Sequence, residues 1–129
     1  MRFVTNWLGF ALLVYCCAAA QARVYLGNEV LSMRGFGTLR GKRVGLLTNP
    51  SGVDGRGRSI IDILHKSPKV NLVALFGAEH GIDGQVPAGK EFPNSTHRHT
   101  GLPIYSLYGP GPVRKPTPAM LKKIDCLVY

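Results

Sequence analysis

Hydrophobic positions divide this chain into short runs separated by connections rich in glycine and proline. The most informative run is Leu72-Val73-Ala74-Leu75-Phe76, unbroken and apolar, with Pro68 upstream and Gly77 downstream. A strand with one wet face would alternate polar and apolar residues. This one does not, so a strand over 70–76 covered on both faces is predicted. Directly after it comes Gly77-Ala78-Glu79-His80-Gly81, a carboxylate beside an imidazole at a chain turn.

Elsewhere the pattern alternates helices with strands. Leu26, Val30, Leu31 and Met33 share one helical face, and Gly35 and Gly37 weaken its continuation, so this helix is predicted to end near Arg34. Residues 43–48 read as the first strand. A loop follows at Asn49-Pro50, because the residue before proline is driven out of the helical region. Ser59 with Asp62 three residues on resembles a capping box, opening a helix whose buried stripe is Ile60, Ile61, Ile63 and Leu64 and which Pro68 ends. Residues 81–101 hold no periodic pattern and read as one long loop. A strand over 104–108 comes next. Thr117-Pro118 then supplies an N-cap and a first-turn proline for a helix through Lys123, and a last strand spans 124–129.

Strands alternating with helices predict an α/β fold with a parallel sheet and flanking helices. Ligands of such sheets bind beyond the carboxyl ends of the strands. The loops 49–57, 77–81 and 108–115 are therefore expected to open on one side, with Glu79 and His80 among them. Gly35, Gly37 and Gly41 do not make a dinucleotide fingerprint, since they precede the first strand. No cofactor is expected.

Composition changes the picture at the amino terminus. Arg2, the apolar stretch 7–20 and the small-residue pattern Ala20-Gln21-Ala22 read as a secretory signal peptide over 1–22, cleaved after Ala22. Its apolar core is shorter than the roughly 20 residues of a spanning helix, so a secreted or periplasmic product without a stable membrane span is expected. Residues 23–129 then make one small domain. Cys16 and Cys17 leave with the leader, and Cys126 reads as a small buried hydrophobe with no disulfide partner. The chain carries 16 Lys+Arg against 7 Asp+Glu, a net charge of +9 that loss of Arg2 lowers to +8. These charges are scattered along the sequence, with no long basic run and no aromatic-interleaved RNA motif. Nucleic acid is thus not the expected partner, whereas an anionic envelope component is.

Four segments in order carry a more specific signal: residues 41–53 (Gly-Lys-Arg-Val-Gly-Leu-Leu-Thr-Asn-Pro-Ser-Gly-Val), 75–81 (Leu-Phe-Gly-Ala-Glu-His-Gly), 100–109 (Thr-Gly-Leu-Pro-Ile-Tyr-Ser-Leu-Tyr-Gly) and 114–118 (Arg-Lys-Pro-Thr-Pro). Together they resemble the NamZ family of exo-β-N-acetylmuramidases. The resemblance covers nearly all of the chain after the leader. It implies a Rossmann-like amino-terminal subdomain, with an active cleft between it and a smaller second subdomain before which this chain is expected to stop. It also implies release of terminal N-acetylmuramic acid from peptidoglycan-derived amino sugars, with Glu79 as the catalytic glutamate and Asn49 and Tyr108 matching the family's loop residues. In the same segments Ala78 stands where the family usually has proline, and Asp83 where it has arginine.

The residues themselves fit that chemistry. Glycoside hydrolysis uses a carboxylic acid to protonate the leaving oxygen and a second group to attack or activate water. Glu79 is the expected acid/base, with His80 orienting it or sharing its proton. Arg114 and Lys115 are expected to pair with the lactyl carboxylate of muramic acid. A metal set of His80, His97, His99 and Glu79 is conceivable by donor type, but surface histidines explain the pattern more simply and no metal is expected. The competing reading is an exported, non-catalytic module that binds anionic cell-wall fragments.

Overall fold

The computed structural model describes residues 23–110 and 114–129. Residues 1–22, expected to be a signal peptide, and residues 111–113, in the expected third loop, lie outside the described residues. The elements are α1 (Gly27–Met33), a 3-10 turn (Gly37–Leu39), β1 (Arg43–Thr48), α2 (Ile60–Lys66), β2 (Asn71–Gly77), β3 (Ser95–Thr96), β4 (Pro103–Ser106), α3 (Pro118–Leu121) and β5 (Cys126–Val128). They form one five-stranded sheet in the order β3-β4-β2-β1-β5. β1 runs parallel to β2 and β5, and β4 runs parallel to β2, so the expected parallel α/β core is present. Among the described residues no helix is long and apolar enough to cross a membrane.

Local chemistry sets the element ends. Ser59 caps α2 by accepting from the Ile61 N–H at 3.2 Å, but Asp62 does not complete a capping box. It pairs with Lys66 one turn on, at 3.4 Å and half-exposed, where such a pair contributes little. Thr117 caps α3 as expected, accepting from the Met120 N–H at 3.3 Å with Pro118 behind it. α1 stops at Met33 because Gly35 and Phe36 both take positive φ, turning their N–H groups back to Ser32 and Leu31 at 2.9 and 3.0 Å.

Other expectations need correction besides the capping box: the last strand spans Cys126–Val128 rather than 124–129, and α3 ends at Leu121 rather than Lys123. The stretch 81–101 is not wholly a loop: Ser95 and Thr96 pair antiparallel with Ile104 and Pro103, making the sheet mixed at one edge. Two residues are too few to print a period-two pattern. β4 spans 103–106 rather than 104–108, because the Leu107 N–H turns to Gly77 O at 2.9 Å and the Tyr108 N–H to Ser106 Oγ at 3.0 Å. Cys126, on the outermost strand β5, is only half-buried.

Both faces of β2 are covered. On one, Leu72 and Leu75 pack with Val44, Leu46, Ile60, Ile61 and Leu64, beneath α1 and α2. On the other, Ala74 and Phe76 pack with Leu107, with Tyr105, Met120 and Ile124 around them. Leu72 and Leu75 are three apart, an odd spacing that would put them on opposite faces of a regular strand. The register explains this: Val44 pairs with Leu72 but Gly45 with Ala74, so Val73 is an extra residue, a bulge that resets the alternation.

Opposite that bulge sits Gly45. A Cβ there would lie 2.8 Å from Ile124 Cδ1 and 2.9 Å from Phe76 Cε2. Phe76, which has no solvent exposure, has nowhere to retreat. Gly45→Val is therefore expected to lower folding stability by about 1–3 kcal/mol through overpacking. Urea unfolding of the two proteins measures it, and an unchanged midpoint would contradict this packing.

Candidate functional site

The parallel register brings three strand ends level. Thr48 pairs with Gly77, and Gly77 with Ser106. Asn49, Glu79 and Tyr108 each follow one of those residues within two positions, so all three emerge on the carboxyl edge of the sheet. The expected convergence of the three loops is present, and Glu79 lies on the central one.

Each loop is held by its own bonds. Asn49 is exposed, and its Oδ1 accepts from the Ser51 N–H at 3.0 Å and the Ser51 hydroxyl at 2.7 Å, a local turn that fixes the amide at the end of β1. A side chain at Gly52 would strike Thr48 Oγ1, so the turn can close this tightly only with glycine there. Beyond it, buried Asp54 accepts from the N–H groups of Arg56 and Arg58 at 2.9 Å each and from Arg58 Nε at 2.7 Å. This carboxylate is the anchor of the first loop.

Glu79 is half-buried, and among the described residues its partner is the Gly89 N–H, which donates to Oε1 at 2.9 Å. The second carboxylate oxygen has no such partner there. His80 is exposed and bonds away from Glu79. Its Nδ1 donates to Val86 O at 2.8 Å, while the Val86 N–H donates to His80 O at 3.2 Å. These bonds fold residues 82–89 back against the end of β2. Gly81 makes the turn with φ of 73°, a value that favours glycine.

On the third loop, the Arg114 guanidinium lies 4.4 Å from the centroid of the Tyr108 ring and donates from Nη1 to Gly109 O at 3.0 Å. Two residues expected to act separately thus form one stacked unit. Lys115 borders a cavity of about 290 Å³ whose wall includes Phe92, Asn94, Ser106 and Thr117.

Phe92 and Asn94 are additions to the site that the sequence pattern does not mark. The Phe92 N–H donates to Tyr108 O at 3.0 Å, and Asn94 Oδ1 accepts from the Ser106 N–H at 2.9 Å, strapping the exit of β4. The Phe92 ring would be 3.2 Å from a Cβ on Gly77, so it covers the strand end through the space a side chain would fill. The Phe-Pro-Asn sequence, an aromatic followed by two turn formers, is the one available signal.

The histidines do not gather around Glu79. His97 Nδ1 lies 2.8 Å from Thr100 Oγ1 within the turn that feeds β4, and burial, then neighbouring His99, pushes its imidazole pKa down. Among the described residues no cluster of three or more His, Cys, Asp or Glu is placed to hold a metal.

Residues 44–129 match the family model described as exo-beta-N-acetylmuramidase NamZ, N-terminal. The chain belongs to the NamZ amino-terminal family. It is 44% identical over 111 residues to the peptidoglycan beta-N-acetylmuramidase NamZ of Bacillus subtilis strain 168, an alignment covering 86% of this chain and 26% of that protein. Two crystal structures of DUF1343 family proteins from Bacteroides fragilis are also similar. One is 55% identical with a TM-score of 0.72, covering 84% of this chain; the other is 32% identical with a TM-score of 0.60, covering 82%. The chain spans about a quarter of the length of each relative.

In this NamZ amino-terminal unit two anchoring carboxylates are expected to make folding stability depend on pH. The Arg58 N–H and guanidinium hold the Asp54 carboxyl below the ordinary carboxylate range. On the amino side of β1, the Arg43 side chain and then its N–H hold Asp125 well below it. A depressed folded-state pKa adds stability that is present above the unfolded value of about 3.9 and is lost as pH falls through the folded values. Urea unfolding at pH 6 and pH 3 is expected to show a loss in the parent chain. Asp54→Asn with Asp125→Asn should be less stable at pH 6 and show a smaller drop. An equal drop in both proteins would contradict these assignments.

Proposed function

We propose that this chain forms the Glu79-bearing wall of the active cleft of an exported peptidoglycan glycoside hydrolase, one that removes terminal N-acetylmuramic acid. The observation that carries this reading is Glu79 itself: a half-buried carboxylate on the carboxyl edge of the central strand, in a chain of the NamZ amino-terminal family. The name of the Bacillus subtilis relative supports the substrate class, and the leader-like sequence over 1–22 supports export to the periplasm or medium.

In this reading Glu79 is the acid/base. Its carboxyl proton passes to the glycosidic oxygen as the bond to the anomeric carbon breaks, and the carboxylate left behind takes the proton of the water whose oxygen bonds to that carbon. The Gly89 N–H fixes the orientation of one oxygen and leaves the other for the substrate. His80 positions this group through the 80–86 loop rather than by touching it. Asn49 contributes its amide to the sugar. The Tyr108–Arg114 stack presents an aromatic face with a cation upon it, and Lys115 adds a second positive charge for the lactyl carboxylate.

Turnover of a chromogenic β-N-acetylmuraminide tests this. Glu79→Gln, made in this chain and in a full-length relative at the matching position, is expected to lower kcat by about 10²- to 10⁴-fold with KM little changed. Undiminished hydrolysis by the full-length Gln variant would remove Glu79 from the mechanism. A parent chain that turns over muraminide and N-acetylglucosaminide equally would remove Arg114 and Lys115 from substrate selection.

A further inference from the structure

Six of the basic residues that are scattered in sequence come together in space. Because β1, β2 and β5 run parallel, the segments leading into them open together on the amino edge of the sheet, opposite Glu79. Arg34 comes from the end of α1, Arg40 and Lys42 from the approach to β1, Lys69 from the approach to β2, and Lys122 and Lys123 from the approach to β5. All six are exposed.

Contacts confirm that these segments are neighbours. A Cβ on Gly35 would lie 3.4 Å from Lys69 Nζ, and Lys42 Nζ donates to Thr38 O at 2.9 Å. Asp125, just past Lys123, accepts from the Arg43 N–H at 2.8 Å and from Arg43 Nη2 at 2.6 Å. Among the described residues, Asp125 on this edge is already engaged with Arg43, and Asp62, in the first turn of α2, with Lys66. The other five acids of the chain, Glu29, Asp54, Glu79, Asp83 and Glu91, lie with the loops beyond the carboxyl ends or with the start of α1 beside them.

We propose that this amino edge is a docking surface for a linear, phosphate-bearing polymer that is not a nucleic acid. Charge complementarity carries the assignment. The cations stand in a band across adjacent strands spaced about 4.8 Å apart, on an open edge, so successive anionic groups of a chain meet them where a single small anion would meet one or two. Lys predominates, and an ammonium binds phosphate as a point charge without a planar partner. Among the described residues the one Phe, Tyr or Trp on this edge, Phe36, is buried, so bases lack a large aromatic platform. Docking here leaves the Glu79 edge open, so holding the protein on an anionic matrix and acting on a sugar are spatially separate. The proposal does not depend on the hydrolase reading.

Binding of the full chain to lipid-free poly(glycerol phosphate), measured against salt concentration, tests it. Six contacts give an expected slope of log affinity on log salt of about −4, by the value of about −0.7 per charge found for single strands. Lys69→Gln with Lys123→Gln is expected to flatten the slope by about 1.4. Arg56→Gln with Lys90→Gln, which carries the same net charge but is altered on the other side, should leave it unchanged. Equal flattening in both pairs would show a net-charge effect and overturn the surface, as would absence of binding. Tighter binding to single-stranded DNA of equal charge would overturn the polymer assigned. Far-UV circular dichroism matching the parent keeps both variants interpretable, and muraminide turnover is scored separately.

Discussion

Strand β2 is hydrogen-bonded along both sides, to β1 and to β4, and both partners run in its own direction. That shared direction is the constraint from which the rest follows. It sets Thr48, Gly77 and Ser106 level, so the turns that follow them face one another. It requires apolar cover on both faces, supplied by α1 and α2 on one and by α3 with Tyr105 and Leu107 on the other. It also sorts charge, placing the approaches to the strands on the edge away from Glu79.

Two glycines make this arrangement possible by what they lack. At Gly45 the missing side chain lets Phe76 and Ile124 close over β1. At Gly77 it lets the Phe92 ring reach the end of β2. Both serve close packing, since neither takes a positive φ. The bulge at Val73 serves the same packing, because it turns Leu72 and Leu75 onto one face and leaves Phe76 for the other.

The apolar runs made the central sheet readable. The unbroken 72–76 segment, short and bounded by Pro68 and Gly77, fits a strand buried on both faces, and the capped starts at Ser59 and Thr117 follow from local hydrogen bonding alone. Glu79 was legible for the same reason, since it sits just past the end of a strand that could be read, whereas Asn49 and Tyr108 came from the family resemblance. What was not legible depends on contacts distant in sequence. β3 is a two-residue pairing with no periodic trace. The strap from Phe92 and Asn94 to β4 joins residues 12 to 16 apart through a segment without pattern. The basic band is invisible along the chain because topology, not sequence proximity, gathers it.

The central claim is that three separate strand ends make one ligand-binding edge. Backbone amide chemical shifts of the labelled chain, followed while N-acetylmuramic acid is titrated in, test it most directly. The account predicts concerted changes at residues 49–52, 77–81 and 107–109, with a common saturation curve. Changes confined to one of these loops, or centred on the amino edge around Lys42 and Lys69, would contradict it.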